Sequence, residues 1–326
     1  MSFRLASVLI KATIRALPTT LLIVIGSFFL FKLVPGDLVD VLDAESGGAT
    51  PETVRMWREV YGLDLSIFEQ LWNYLKNLAG FSLGMSPRFG VPVADLIGQR
   101  LPATFLLMIV SLAAALLMGI TLGAIMSAFY ARWPDRVISV LSIVFYSVPS
   151  FWIGLMMIVL FSIILGWLPS SGNRSIASSL TGIELLLDRA RYMIMPALSL
   201  SLFYIAIFAR LMRSSMLDVR EQDYIRTARA KGLSEGVIIW RHALRNALSP
   251  VTMVAGVYIG GMMGGAVVVE TIYGWPGLGR LAYESVMARD FNVMLGILLL
   301  SSLLVTLMNV LADFAHALLD PRVEIN

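Results

Sequence analysis

Apolar residues along this 326-residue chain gather into long, nearly unbroken runs, and the polar residues collect between them. Six runs, at about 14–34, 102–129, 137–165, 193–212, 250–270 and 293–318, match the roughly 20 residues a helix needs to cross a hydrocarbon core. Each is expected to be helical, because an open strand would leave backbone groups unsatisfied in lipid. Ser147, Pro149 and Ser150 interrupt the third run near its middle, where proline removes a backbone hydrogen bond and neighbouring hydroxyls can serve the freed groups. A packing kink and a bend lining a pathway both fit that pattern. Met262 and Met263, soft side chains in the fifth run, and Glu270 at its end are further candidates for a pathway or gate.

The segment from Pro35 to Arg100 has a different pattern. Thr50-Pro51-Glu52 supplies an N-cap and a proline at the first helical position, with Gly62 as the stop. Ser66 and Glu69 form a capping box for a second helix, in which Phe68, Leu71, Leu75 and Leu78 share one face until Gly80. Two short amphipathic helices are expected outside the hydrocarbon. They could cap the span ends or form a docking surface, and the pattern does not separate these readings.

Between Arg210 and Pro250 lie eight basic residues, four acidic ones and His242. Helix grammar predicts a short helix from near Asp218 to Gly232 and another from about Ser234 to Ala247, leading into Pro250 and the fifth span. Positive charge would by itself hold such a loop inside the cell, but it does not require the Ala- and Gly-bearing helix–turn–helix written here. A docking element is the reading that covers both. Spacings of four among Gly256, Gly260, Gly261, Gly264 and Gly265 in the fifth run permit a close helix crossing, most simply against a homologous chain.

Composition agrees with the pattern: 58% of residues are hydrophobic, 14% are charged and the mean hydropathy is +0.80, well outside the range of soluble domains. Lys and Arg set the orientation. Arg4, Lys11 and Arg15, then Arg132 and Arg136, then the 210–250 block all fall on one side of a six-span chain. The 36–100 segment carries five basic residues against nine acidic ones. Both termini are therefore expected in the cytoplasm, although Arg174, Arg189 and Arg191 fall on the outer side. The first run is too long for a signal-peptide core and reads as an uncleaved span.

The chemistry implied is sparse. With no cysteine, thiol catalysis and iron–sulfur clusters are excluded, and His242 and His316 are too far apart in sequence to suggest a local metal site. Asn309, Asp313 and His316 lie at helical spacing near the end of the last span, where pairing or snorkelling explains them better than a proton relay. No phosphate loop is present, so the chain is not expected to bind nucleotide by that mechanism. A membrane enzyme would show clustered acids, bases or metal ligands. An ion-coupled secondary transporter would show midplane charges and an internal repeat. Neither pattern is seen.

DYIRTARAKGL followed by HALRNALSP resembles the cytoplasmic signature of binding-protein-dependent ABC importer permeases, in particular the B-type subunit of oligopeptide, dipeptide and nickel permeases. Ordered matches extend along the chain. They are VPGD at Val34–Asp37, YGLD at Tyr61–Asp64, QRLPATF at Gln99–Phe105, SVPSFWIG at Ser147–Gly154, GWLPSSG at Gly166–Gly172 and VVVETIYGWPGLGRL at Val267–Leu281. The general motif has Glu-Ala-Ala, three residues, then Gly. Arg226 stands at the Glu position here, followed by Thr227, Ala228 and, after three more residues, Gly232.

The resemblance implies an all-α integral membrane protein of six spans in a bacterial inner membrane, with both termini cytoplasmic and a periplasmic helical segment after the first span. Residues 1–100 would be the first span and that segment, and 101–326 a five-helix permease core. It also implies a coupling helix between spans four and five, seated on an ATPase subunit and built from Asp223, Tyr224, Arg226, Thr227, Ala228, Arg229, Ala230, Lys231 and Gly232. Its partners would be a homologous permease chain, two ATPase subunits holding ATP and Mg²⁺, a periplasmic solute-binding protein and the lipid bilayer. No nucleic-acid partner is expected. The cargo would be di- or oligopeptides, with nickel chelates, glutathione-like molecules and other small solutes as alternatives.

Overall fold

The protein is described from a computed structural model that covers residues 2–175 and 180–319, with side chains for 18–175, 180–308 and 310. The side chains of Arg4, Lys11, Arg15, Asn309, Asp313 and His316 therefore lie outside the described set. Thirteen α-helices, two of them extended by π-helical turns, account for nearly all the regular structure described. Four helices are long and apolar enough to cross a membrane, or up to six spans if each of two bent pairs counts as one. The chain divides into two compact units, one of residues 1–103 with 276–307 and the other of 104–275 with 308–326.

The first unit contains α1 (Ser2–Leu33), α2 (Leu38–Glu45), α3 (Pro51–Val60), α4 (Ile67–Ala79), α12 (Leu278–Met287), the opening turns of α5 (Val93–Ala128) and most of α13 (Phe291–Leu319). Helices α3 and α4 start as their caps dictate. Thr50 accepts from the Thr53 amide, and Ser66 and Glu69 close a reciprocal capping box. A second box, Asp37 with Asp40, starts α2, an element not anticipated because both of its capping residues are aspartates rather than the Ser/Thr–Glu pair. Leu71, Leu75 and Leu78 of α4 pack against Val24, Phe28, Tyr74 and Leu295. Phe68, expected on the same face, is instead 74% exposed in the first turn. A second cluster joins Val93 and Ile97 to Leu278, Leu281, Val293 and Ile297. There α5 and α13 approach so closely that a Cβ on Gly296 would lie 2.8 Å from Val93 Cγ1.

The second unit contains the rest of α5, α6 (Trp133–Ser147), α7 (Ser150–Met157), α8 (Gly182–Arg220), α9 (Asp223–Ala230), α10 (Glu235–Val237) and α11 (Leu244–Ile272). The run expected as one kinked span at 137–165 is broken instead. Helix α6 and the helix from Ser150 to Ile164 meet at 106°. Val148 is extended at φ −82°, ψ 130° and Pro149 follows at φ −60°, ψ 139°. The residue before a proline is driven out of the helical region, so the chain turns here rather than bending gently. Pro250, in contrast, lies inside a helical path that runs unbroken from Glu235 to Ile272, widened by a π-helical stretch at Ile238–Ala243. The helix expected to stop before Pro250 therefore merges with the fifth span.

The tightest crossing in this unit pairs α5 with α8. A Cβ on Gly119 would sit 2.6 Å from Phe208 Cβ, and one on Gly123 would sit 2.5 Å from the Ala209 carbonyl oxygen. Asp135, 3% exposed in the first turn of α6, receives Arg213 of α8 as a fork, Nε to Oδ1 at 2.6 Å and Nη2 to Oδ2 at 2.9 Å. Planar bidentate pairing fixes orientation as well as distance, so it holds α6 and α8 in register.

Candidate functional site

Helix α9 is a two-turn element between two long helices, and it starts at Asp223 rather than near Asp218. Helix α8 runs on to Arg220, and a short break at Glu221 and Gln222 separates the two. Its C-terminus is a Schellman motif. Gly232 adopts φ +78° and donates to the Arg229 carbonyl at 2.9 Å, while Leu233 donates to the Ala228 carbonyl at 3.3 Å. A left-handed residue is required at that position, which explains a glycine there. Nothing lies within 4 Å of where a Cβ on Gly232 would project.

The two faces of α9 differ. Ile225 is fully buried and Ala228 is 6% exposed, so these two, one turn apart, hold the helix against its own chain. Ala228 is thus packed inward rather than offered as a small surface residue. Asp223, Tyr224, Arg226, Thr227, Arg229, Ala230, Lys231 and Gly232 are all exposed. Among the described residues Arg226 pairs only with Asp223, at 3.6 Å, with side chains 71% and 98% exposed, a contact of little energetic weight.

The anchoring of α9 was not legible in advance. Glu235, the first residue of α10, accepts Arg229 Nε at 2.6 Å and Nη2 at 3.4 Å, and also meets Arg220 Nη2 at 3.7 Å. Hydrogen bonding to this carboxylate holds the Arg229 guanidinium above its ordinary pKa. Arg220 reaches further, donating through Nη1 to the Ser127 carbonyl at the end of α5 at 2.7 Å. On the other flank Asn246 of α11 donates to the Tyr224 hydroxyl at 2.8 Å. The short helix is therefore linked through Glu235 to Arg220 at the end of α8 and through Tyr224 to the start of α11, and Arg220 in turn holds the end of α5. A helix clamped at several points transmits displacement as a body, which a free loop cannot.

The other predicted residues are dispersed. Ser147 and Pro149 are exposed at the α6–α7 break, and Ser150 is half-buried at the start of α7. Met262 is fully buried and Met263 half-buried in α11. Glu270, a candidate pathway or gate residue at the end of the fifth run, is fully buried and receives the Thr104 hydroxyl at 2.7 Å. Helix α11 continues past it to Ile272, so it lies inside the helix stack, where a carboxylate must be hydrogen-bonded. Below it the Tyr273 hydroxyl meets Ser199 Oγ at 2.8 Å and donates to the Gly154 carbonyl at 3.1 Å, joining α7, α8 and the end of α11. Among the described residues, no group of three His, Cys, Asp or Glu side chains could hold a metal ion.

The chain belongs to the family of binding-protein-dependent transport system inner membrane components, the permeases of ABC importers. The family model matches residues 119–325, and a model for the N-terminal part of such components matches residues 5–108. The oligopeptide transport system permease protein AppB of Bacillus subtilis (strain 168) is 38% identical over 322 residues, covering 98% of this chain and 100% of that protein. The glutathione transport system permease protein GsiC of Escherichia coli (strain K12) is 35% identical over 315 residues, covering 97% and 98%. Among solved structures, an inward-facing MetNI methionine ABC transporter chain matches with a TM-score of 0.58 at 18% identity, covering 72% of this chain and all of that one. This last likeness is one of fold. The protein is thus a multi-pass permease of the inner membrane.

Proposed function

We propose that this permease imports short peptides delivered by a periplasmic solute-binding protein, and that α9 couples it to partner ATPases. Relatives named for oligopeptide and glutathione transport match over nearly their whole length, which supports peptides as the cargo class. Residues 1–100 then form the first span and a periplasmic segment, 101–326 the five-helix core, and both termini are cytoplasmic. A homologous permease chain completes the pathway, and two ATPase subunits carry ATP and Mg²⁺.

The observation that carries the coupling assignment is the clamp on α9. Its polar face is free, while Arg229, Glu235, Arg220 and Tyr224 bind it to three long helices. Displacement of Asp223–Gly232 by a closing ATPase would move those helices together, and nucleotide shifts the equilibrium because it favours one conformation by differential affinity. The bend at Ser147–Ser150, the pair Met262 and Met263, and Glu270 are proposed to lie along or beside the pathway.

Gly232 supplies the test. Gly232→Ala and Gly232→Trp both place a Cβ on a left-handed residue and meet a similar steric penalty, but only Trp fills the open space beyond the Cβ. In the reconstituted importer, Gly232→Trp should lower ATP-dependent peptide uptake much more than Gly232→Ala while both insert and fold normally. Equal uptake by the two variants would remove the docking role from this turn.

A further inference from the structure

The first unit carries an open cavity of about 200 Å³ that the transport function leaves unused. Its only charged lining residues are Lys32 and Arg289, and no carboxylate lines it. Neither cation has a salt bridge among the described residues. Asp37 pairs with Arg58 at 3.5 Å and is not among the lining residues. Lys32 is held in place by two rings, its ammonium 6.0 Å from the Phe28 centroid and 5.3 Å from that of Phe291. Arg289 is fixed by a left-handed backbone, φ +54°, just before α13.

A third group points the same way. Tyr74 forms part of the cavity wall, is 8% exposed, and its shielded hydroxyl has no hydrogen-bond partner. A buried hydroxyl left unsatisfied costs about 1–3 kcal/mol, and an acceptor bound in the cavity would relieve it once the wall opens to the shielded oxygen. Burial pushes the Tyr74 pKa up to about 12, so the hydroxyl remains a donor at neutral pH. The side-chain amides of Asn73 and Asn77 add donors, while Phe28, Leu38 and Leu295 supply an apolar wall.

We infer that this cavity binds the phosphate of a membrane phospholipid, held by Lys32, Arg289 and the Tyr74 hydroxyl. The position favours lipid over a solute. Lys32 is the penultimate residue of α1, where an apolar run ends and a snorkelling cation meets the headgroup layer. Phe68, Trp72 and Phe81 are exposed on the same segment, at 74%, 69% and 100%, as expected of aromatic residues at a bilayer interface. A site that combines two cations with an apolar wall matches a headgroup joined to an acyl chain.

The test uses the full-length chain purified in detergent and titrated with phosphatidylglycerol in mixed micelles, with retained lipid counted by native mass spectrometry. Inorganic phosphate without lipid forms the second arm. Wild type should retain phosphatidylglycerol. Tyr74→Phe and the double variant Lys32→Gln/Arg289→Gln should each weaken retention roughly tenfold or more. Lys76→Gln, a charge change on the exposed side of α4, should leave it unchanged. Retention equal in all variants would overturn the site. Saturation by inorganic phosphate alone would overturn the lipid assignment. Tyr74→Phe is nearly isosteric and removes only an unpartnered hydroxyl, so its folding is not in question.

Discussion

Ser86 Oγ donates to Asp290 Oδ2 at 2.5 Å across 204 positions of sequence, in a site where both residues are buried. The same carboxylate accepts the Val293 amide at 3.2 Å through Oδ1 and the Arg88 amide at 3.4 Å through Oδ2. Asp290 is thus both the N-cap of α13 and the anchor of the loop before α5.

Asp290→Ala should lower the thermal stability of the purified chain by the equivalent of about 2–4 kcal/mol, because it removes a cap and strands several donors. Burial raises the Asp290 pKa, against the opposing pull of its hydrogen bonds. A raised folded pKa means that the folded state holds the proton more tightly. The associated stability is complete below the ordinary aspartate range and is lost as pH rises through the folded value. The stability of Asp290→Asn should therefore change less with pH across that window, read from melting curves between pH 3 and neutrality.

Glycines in α5 and α11 should respond in opposite ways. Gly123→Ala forces a methyl to within 2.5 Å of a backbone oxygen and should destabilise the chain by roughly 1–3 kcal/mol. Gly264 has nothing within 4 Å of its Cβ position, so Gly264→Leu should leave the melting temperature of the single chain nearly unchanged. If this face of α11 receives the homologous permease chain, the same variant should abolish co-purification of that partner.

Glu235→Gln weakens the clamp without removing a buried group. Its pairs with Arg229 and Arg220 are largely exposed, so stability should fall by less than about 1 kcal/mol. ATP hydrolysis in the assembled importer should continue while uptake per ATP declines. Unaltered stoichiometry would mean that α9 moves without this carboxylate.

The Ser66–Glu69 box gives a pH dependence of opposite sign to Asp290. Hydrogen bonds from Ser66 hold the Glu69 carboxyl below its usual range, so the box is complete above the unfolded glutamate pKa and is lost as pH falls through the folded one. Hydrogen exchange in the first turn of α4 should quicken at low pH in wild type. In Glu69→Gln that acid-induced change should be absent.

Local features of the chain were readable wherever the information is local. The caps of α3 and α4 and the glycine stop at Gly232 depend on residues within one helical turn, and they form as their sequences require. The start of α9 was misplaced by five residues because no strong N-cap precedes it; Gln222 makes no side-chain capping bond. The break at Val148–Pro149 was expected as a kink because sequence shows that a proline disturbs a helix but not by how much. The burial of Glu270 could not be read locally, because its neighbours in sequence cannot reveal Thr104 opposite it, 166 positions away.

The sequence by itself determined the solvent this chain lives in and its helical class, because burial in lipid and backbone satisfaction act on every stretch of about 20 residues independently. It also carried the family, through motifs spread along its whole length. Only the tertiary structure decided which glycines pack and which stay open, that Glu235 rather than Arg226 organises α9, and that Lys32, Tyr74 and Arg289 border one cavity. Those outcomes depend on how helices distant in sequence approach one another. Apolar runs this uniform specify that they must pack, but not against what.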